Sequence, residues 1–223
     1  MNIDLSIHKT LTAYKRTFVL DVEYQTDAER LVIVGASGSG KSVLLKTIAG
    51  LITPDAGKIV LQDRVLFDAD HKINLKPQAR KLAYLFQSYA LFPHLNVAQN
   101  IGFALHQSIF NGRKHHVPPE VQYWLELFHL KGIQFQYPDE ISGGQKQRVA
   151  LARALIVNPM AILLDEPFSA LDTDLRSIMR KELSDIQADL QIPMILITHD
   201  HEDARTFGDA VIEIENGQIL KTS

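Results

Sequence analysis

Apolar and polar residues alternate in two stretches near the start of the chain. Ile3, Leu5 and Ile7 share one face, and Phe18, Leu20, Val22 and Tyr24 share another with Asp21 and Glu23 opposite. A period of two predicts a pair of half-buried antiparallel strands. The pattern changes at residues 31–34, a wholly apolar run that ends at Gly35 and precedes a helix-compatible segment from Lys41 to Ala49, closed by Gly50. An unbroken apolar run of that length reads as a strand buried on both faces, so the local order is strand, glycine loop, helix. Residues 58–61 and 82–86 predict further strands, and the polar stretch 68–81 is read no further than a loop or short hairpin.

From Asn96 to about Leu130 the spacing turns helical, with Val121, Trp124, Leu125 and Phe128 on one stripe behind Pro118 and Pro119, and Gly132 as the expected stop. This is a helical insert, interrupted by the polar loop 111–116. Buried-strand patterns return at 160–164 and 194–197 around a helix whose Leu175, Ile178, Met179, Leu183, Ile186 and Leu190 form one stripe. Strands alternating with helices imply a parallel sheet covered on both faces, an α/β fold. Residues 211–214 and 219–220, joined by Asn216-Gly217, predict a hairpin.

Composition narrows what such a fold can do. With 23 Lys and Arg against 26 Asp and Glu, the formal charge of −3 excludes a nucleic-acid binder running on bulk positive charge. Any phosphate is therefore held locally. No apolar run exceeds five residues, against roughly 20 needed to cross a bilayer, and the N-terminus lacks the plan of a signal peptide, so the chain is expected neither to span a membrane nor to be exported by that route. The absence of cysteine removes disulfides, thiolate metal sites and thiol nucleophiles together.

The candidate chemistry lies in three places. Gly35, Ala36, Ser37, Gly38, Ser39, Gly40, Lys41 and Ser42 fit the phosphate-loop pattern GxxxxGK[ST], between a strand and a helix as that pattern requires. Glycines let backbone N–H groups close around phosphate oxygens at a helix N-terminus, Lys41 adds a point charge for the β and γ phosphates, and Ser42 offers a hydroxyl to Mg²⁺. The apolar run 160–164 delivers Asp165 and Glu166 at the strand's C-terminal edge, the first toward the metal shell and the second to polarise a water for attack on the γ phosphate. Ser142, Gly143, Gly144 and Gln145 precede a helix read from 146 to 157. Ser142 with Gln145 is a capping box, and that alone accounts for a helix start; two consecutive glycines argue in addition for a second anion site. One triphosphate has little use for two phosphate loops unless the second serves a neighbouring molecule's nucleotide.

On these residues the chain resembles an ATP-binding subunit of an ABC transporter, over essentially its whole length. Residues 35–42 resemble the Walker A motif, 162–166 the Walker B motif with its catalytic Glu166, and Ile141 to Gln145 the LSGGQ signature with Ile in first place. Gln87 resembles the family's Q-loop glutamine, Asp172 in Ser169-Ala170-Leu171-Asp172 its D-loop, and His199 its switch histidine. The resemblance implies a P-loop NTPase with a mixed sheet, N-terminal antiparallel strands and a helical subdomain: one domain over 1–223, with 1–87 and 140–223 as nucleotide-binding core and 88–139 as insert. It implies ATP and Mg²⁺ as ligands, with Lys41, Gln87, Glu166 and His199 catalytic and Ser42, Gln87 and Asp165 at the metal. Val43 extends the nucleotide contacts, and Tyr14, ahead of Phe18 as the lesser candidate, stacks on adenine. It further implies a head-to-tail homodimer in which Ser142, Gly143, Gly144 and Gln145 contact the partner's ATP.

The segment 86–95, Phe-Gln-Ser-Tyr-Ala-Leu-Phe-Pro-His-Leu, is similar to the import ATPases for oxyanions, iron, polyamines and sugars, with Tyr89, Leu91 and Phe92 expected as an exposed apolar patch for a membrane subunit. Residues 64–70 and 74–77 resemble the molybdate-type subfamily. The expected partners are transmembrane permease subunits and, through them, a substrate-binding protein, at the cytoplasmic face of the membrane, with no nucleic acid. Many importers of the group continue into a regulatory β-rich domain, which the sequence is expected to lack. A soluble ABC ATPase would usually carry a tandem cassette or long coiled-coil insertions, and a metabolic P-loop kinase would not need the signature.

Overall fold

The structure is a computed structural model that describes residues 2–13, 16–105, 117–169, 171 and 173–222. Along the first half run β1 (Ile3–Ala13), β2 (Arg16–Thr26), β3 (Arg30–Val34), α1 (Lys41–Ala49), β4 (Ala56–Leu61), β5 (Arg64–Asp68), β6 (Ile73–Asn74), α2 (Pro77–Arg80) and β7 (Leu82–Leu85). There follow α3 (Val97–Gly102), α4 (Pro119–Leu127), α5 (Gly143–Leu155), β8 (Ala161–Asp165), α6 (Thr173–Leu190), β9 (Met194–Thr198), α7 (His201–Phe207), β10 (Ala210–Glu215) and β11 (Gln218–Thr222).

The alternating N-terminal stretches pair as expected, β1 antiparallel to β2 from Ile3 opposite Thr26 to Ala13 opposite Arg16. Their sheet continues β2-β1-β4-β5-β6. The sequence pattern marks no element at residues 62–67, where β5 begins, because Arg64–Asp68 offers only five residues and its turn, Gln62 and Asp63, is left-handed without a glycine; the polar stretch 68–81 holds β6, paired with the end of β5, and α2. The second sheet has the order β11-β10-β3-β9-β8-β7, with β10, β3, β9, β8 and β7 parallel. Its antiparallel edge, β11, follows the Asn216-Gly217 turn, where φ values of 50° and 83° fit the hairpin form that twists with the strands.

Alternate residues of the parallel strands feed two apolar clusters. Leu31, Ile33, Leu163 and Ile197 face α1 and the antiparallel sheet, whereas Val32, Ile162, Leu164 and Leu196 face a cluster shared with α3, α4, α5 and α6. The parallel sheet is therefore the middle layer, and both its faces are dry. The insert joins the second cluster: Val121, Trp124, Leu125 and Phe128 are all buried, as their spacing predicts. Two expectations fail here. The helix ends before Gly132, because the chain turns at His129 with φ 55°. Ile178 is 52% exposed, since at about 100° per residue it sits roughly 100° off the centre of the stripe that Leu175, Met179, Leu183, Ile186 and Leu190 define.

Arg80 ties α1 to the loop before β7. Its fully buried guanidinium donates to the carbonyls of Thr47, Ile48 and Leu75 at 2.7–2.9 Å and to Asn74 Oδ1 at 3.2 Å. At the C-terminal end of α1 it thereby takes up the Ile48 carbonyl and shares the Thr47 carbonyl with the Gly50 N–H, which donates at 3.1 Å. Burial pulls its pKa down to about 10, so the group stays charged at neutral pH.

Candidate functional site

Four parallel strands end at the same edge of the middle sheet; the residues after β3, β7 and β8 reach one cleft of about 370 Å³, and those after β9 line a smaller pocket that shares Glu166 with it. β3 leads into the glycine loop and α1, β7 into Gln87, β8 into Asp165 and Glu166, and β9 into His199. Leu11, Phe18, Gly38, Lys41, Gln87 and Glu166 line the cleft. At Gly40 the backbone takes φ 109°, and a Cβ there would lie 2.7 Å from the Phe18 ring, so only glycine lets the loop close against β2. Phe18, half-buried, thus belongs to both core and cleft wall. Tyr14 and Asp172 lie outside the described residues.

Around the loop, Lys41 is buried and its ammonium donates to the carbonyls of Gly35 and Ala36, both at 2.8 Å. Burial pushes its pKa down, and the charges of Glu166 and Asp165 oppose that. Ser42 Oγ donates to Asp165 Oδ1 at 2.9 Å. A residue the sequence reading passed over completes this pair: Tyr84 on β7 donates to Asp165 Oδ2 at 2.8 Å. Burial first, then the nearby Asp165 charge, pushes the phenol's pKa up, so it remains a donor. Its only sequence signal is a hydroxyl inside an apolar run of strand type.

The other expected groups gather on Glu166, whose backbone is left-handed at φ 48°. Gln87 Nε2 donates to Glu166 Oε2 at 3.4 Å and to Ser169 Oγ at 3.1 Å, and His199 Nδ1 lies 3.4 Å from Glu166 Oε2. A positive φ at a glutamate is costly, and the segment is pinned by three bonds: the Glu166 N–H to the Ile197 carbonyl at 3.0 Å, and Ser169 Oγ and the Ser169 N–H to the Glu166 carbonyl at 3.0 and 3.3 Å. Beyond His199, Asp200 caps α7 and pairs with the buried Arg180, which also binds Glu202 and Asp203. The histidine therefore hangs from an anchored turn.

Ser142, Gly143, Gly144 and Gln145 stand elsewhere. Among the described residues none of the four lines the cleft. The capping box forms: Ser142 Oγ accepts from the Gln145 N–H at 3.3 Å, and the Ser142 N–H donates to Gln145 Oε1 at 2.9 Å. Gly143 faces Leu171, and Gly144 packs against Leu175.

The segment after Gln87 corrects one expectation. Tyr89 is 6% exposed rather than part of an open patch. Tyr89 and Ala90 both adopt left-handed φ, 60° and 44°, which folds the ring inward until its hydroxyl reaches the Pro167 carbonyl at 3.3 Å. Arg153 of α5 donates to the carbonyls of Tyr89 and Ala90 at 2.7 and 2.9 Å. Leu91 and Phe92 are half-buried, and the exposed apolar residues nearby in sequence are Phe86, Phe103 and Leu105.

Comparison with known proteins gives the family. Residues 21–169 match the ABC transporter family, and the chain belongs to it. It is 42% identical over 218 residues to the sulfate/thiosulfate import ATP-binding protein CysA of Caulobacter vibrioides, covering 96% of this chain and 62% of that one. To the Fe(3+) ions import ATP-binding protein FbpC 2 of Pectobacterium atrosepticum it is 42% identical over 221 residues, 98% of this chain and 62% of the relative. The spermidine/putrescine import ATP-binding protein PotA of Nitratidesulfovibrio vulgaris is 40% identical over 200 residues, 90% of this chain and 52% of its own length. The chain thus spans less than two thirds of these curated relatives. Among solved structures, a dimeric ATP-binding cassette in a post-hydrolysis state bound to ADP and Pi superposes with a TM-score of 0.79 at 26% identity, covering 100% of this chain and 98% of that one. A dimeric bacterial ABC transporter cassette gives 0.79 at 27%, with the same coverage. Among the described residues no helix is long and apolar enough to cross a membrane.

Proposed function

We propose that the chain is the ATP-hydrolysing subunit of an ABC importer. The observation that carries this is the convergence, on one sheet edge, of the glycine loop, the Ser42–Asp165 pair and the Gln87–Glu166–His199 group. The loop's backbone N–H groups and the Lys41 ammonium bind the β and γ phosphates of ATP, exchanging the lysine's present carbonyl contacts for charged ones. Residues 35–43 form this cradle, and Tyr14 stacks on adenine. The Ser42 hydroxyl and the Asp165 carboxylate bring hard oxygens together, the donor type Mg²⁺ prefers, so these residues fit the ion, with Gln87 beside them. Bound there, Mg²⁺ neutralises charge on the β and γ phosphates. Glu166 polarises a water for in-line attack on the γ phosphorus and takes its proton, while His199 and Gln87 orient that water; the bond to the β-phosphate oxygen breaks, giving ADP and phosphate.

Residues 88–139 serve as the helical subdomain between the core segments 1–87 and 140–223. Ser142, Gly143, Gly144 and Gln145, remote from the cleft of their own copy, close on the γ phosphate held by a second copy, with Asp172 at the contact between them. ATP then holds the dimer together, and hydrolysis releases it. Dimer closure drives permease subunits in the membrane, which receive cargo from a substrate-binding protein, so this chain works at the cytoplasmic face. The relatives' names span sulfate and thiosulfate, Fe(3+) and polyamines. Residues 64–70 and 74–77 support the narrower reading of a molybdate-type oxyanion importer; the relatives named above supply no molybdate example. The test is to isolate the tagged chain from solubilised membranes with its permease and to assay its ATPase with cargo-loaded binding proteins. Stimulation by molybdate or tungstate is expected. Stimulation by sulfate, iron or a polyamine keeps the importer and overturns the narrower cargo, and the lack of any membrane partner overturns the importer.

A further inference from the structure

We infer that the Tyr84 hydroxyl is a positioning group for the metal–nucleotide site: it holds the Asp165 carboxylate in the one orientation that presents Oδ1 beside Ser42. The inference rests on the ATP and Mg²⁺ reading above and adds a residue to it. Tyr84 lies on the edge strand β7 opposite Leu163 of β8, and Asp165 is the next residue of β8 on the same face. From there the phenol reaches Oδ2 at 2.8 Å while Ser42, arriving from α1, reaches Oδ1 at 2.9 Å. Each carboxylate oxygen thus has its own hydroxyl.

The site is shielded enough for this to matter. Asp165 is 7% exposed, so among the described residues Tyr84 is the side chain that satisfies Oδ2 where water has little access. The donor's direction is itself set by packing, since the Tyr84 ring lies 4.4 Å from the Phe86 ring, centroid to centroid. Without the hydroxyl, Oδ2 would keep its desolvation cost and lose its partner, and the carboxylate could rotate about its terminal torsion. An ion held by few protein oxygens is sensitive to such a loss, because outer-shell hydrogen bonds orient its ligands. A purely structural tyrosine would need only its ring.

The substitution that separates the two is Tyr84→Phe, which keeps the ring and removes the donor. The primary readout is Mn²⁺ bound in the presence of a non-hydrolysable ATP analogue, followed by electron paramagnetic resonance. Affinity is expected to fall about tenfold, with analogue binding in excess EDTA unchanged. In the ATPase assay the Mg²⁺ concentration for half-maximal rate rises by a similar factor, and the rate at saturating Mg²⁺ stays within about twofold of wild type. Unchanged Mn²⁺ affinity in Tyr84→Phe overturns the inference alone, as does a drop in melting temperature with metal binding intact. Wild-type protein that takes up no Mn²⁺ with the analogue overturns the ATP and Mg²⁺ reading and the inference with it.

Discussion

The N-termini of α1 and α5 both carry glycine-rich turns, yet the chain treats them in opposite ways. At α1 the N-cap is Gly40, and among the described residues no side chain caps the helix, so its first N–H groups face the cleft unspent. At α5 the cap is Ser142, whose side chain takes the Gln145 N–H while the Gln145 side chain takes the Ser142 N–H. One terminus is built to need a ligand; the other satisfies part of its own demand. On the proposed reading, in which this terminus meets phosphate only while two copies are closed, the capping box supplies its resting state. Glycine content alone did not distinguish the two. The side-chain cap did.

The comparison can be broken at either terminus, and the largest effect is expected from the chemistry of the first. Glu166→Gln should lower ATP turnover about 1,000-fold while leaving ATP affinity within a few-fold of wild type, as measured by steady-state rates and fluorescent nucleotide titration. At the far end of α1, Arg80→Ala takes the guanidinium away from the Ile48 and Leu75 carbonyls, leaves Thr47 with the Gly50 N–H, and opens a cavity; a loss of about 3 kcal/mol, roughly 150-fold in the folding constant, is expected in urea unfolding. Lys41→Ala removes the one charged side chain of the loop and should weaken ATP binding by about 10- to 100-fold, read in the same titration. The smallest effect belongs to α5. Ser142→Ala should cost about 1 kcal/mol of stability through the lost cap and leave the isolated copy's ATP affinity unchanged, the opposite profile to Lys41→Ala.

Much of this was legible because the relevant signals are periodic or contiguous. Alternation marked β1 and β2, unbroken apolar runs marked β3, β8 and β9, and the phosphate loop and the Asp165-Glu166 pair are written in consecutive residues. What could not be read depends on backbone turns and on single polar atoms. The resemblance of 86–95 to import ATPases put Tyr89 on the surface, but two left-handed residues in succession send its ring under α5, where its hydroxyl meets Gln147. Arg80 stands in a polar stretch with nothing to show that it is wholly buried, since three of its four partners are backbone carbonyls, which every residue has. Tyr84 passed as a strand residue for the same reason: the pattern records its ring, and the hydroxyl's target lies 81 residues away. The fold is thus carried by side-chain type, whereas the support of the site is carried by hydrogen bonds that composition does not display.

The most direct test of the claim that α5 of one copy completes the α1 site of another is sedimentation velocity of Glu166→Gln at saturating ATP and Mg²⁺, alone and combined with Lys41→Ala. A dimer that forms with ATP in the single variant, and is lost in the double variant, is the expected result. A single variant that stays monomeric while binding ATP fully would contradict the account.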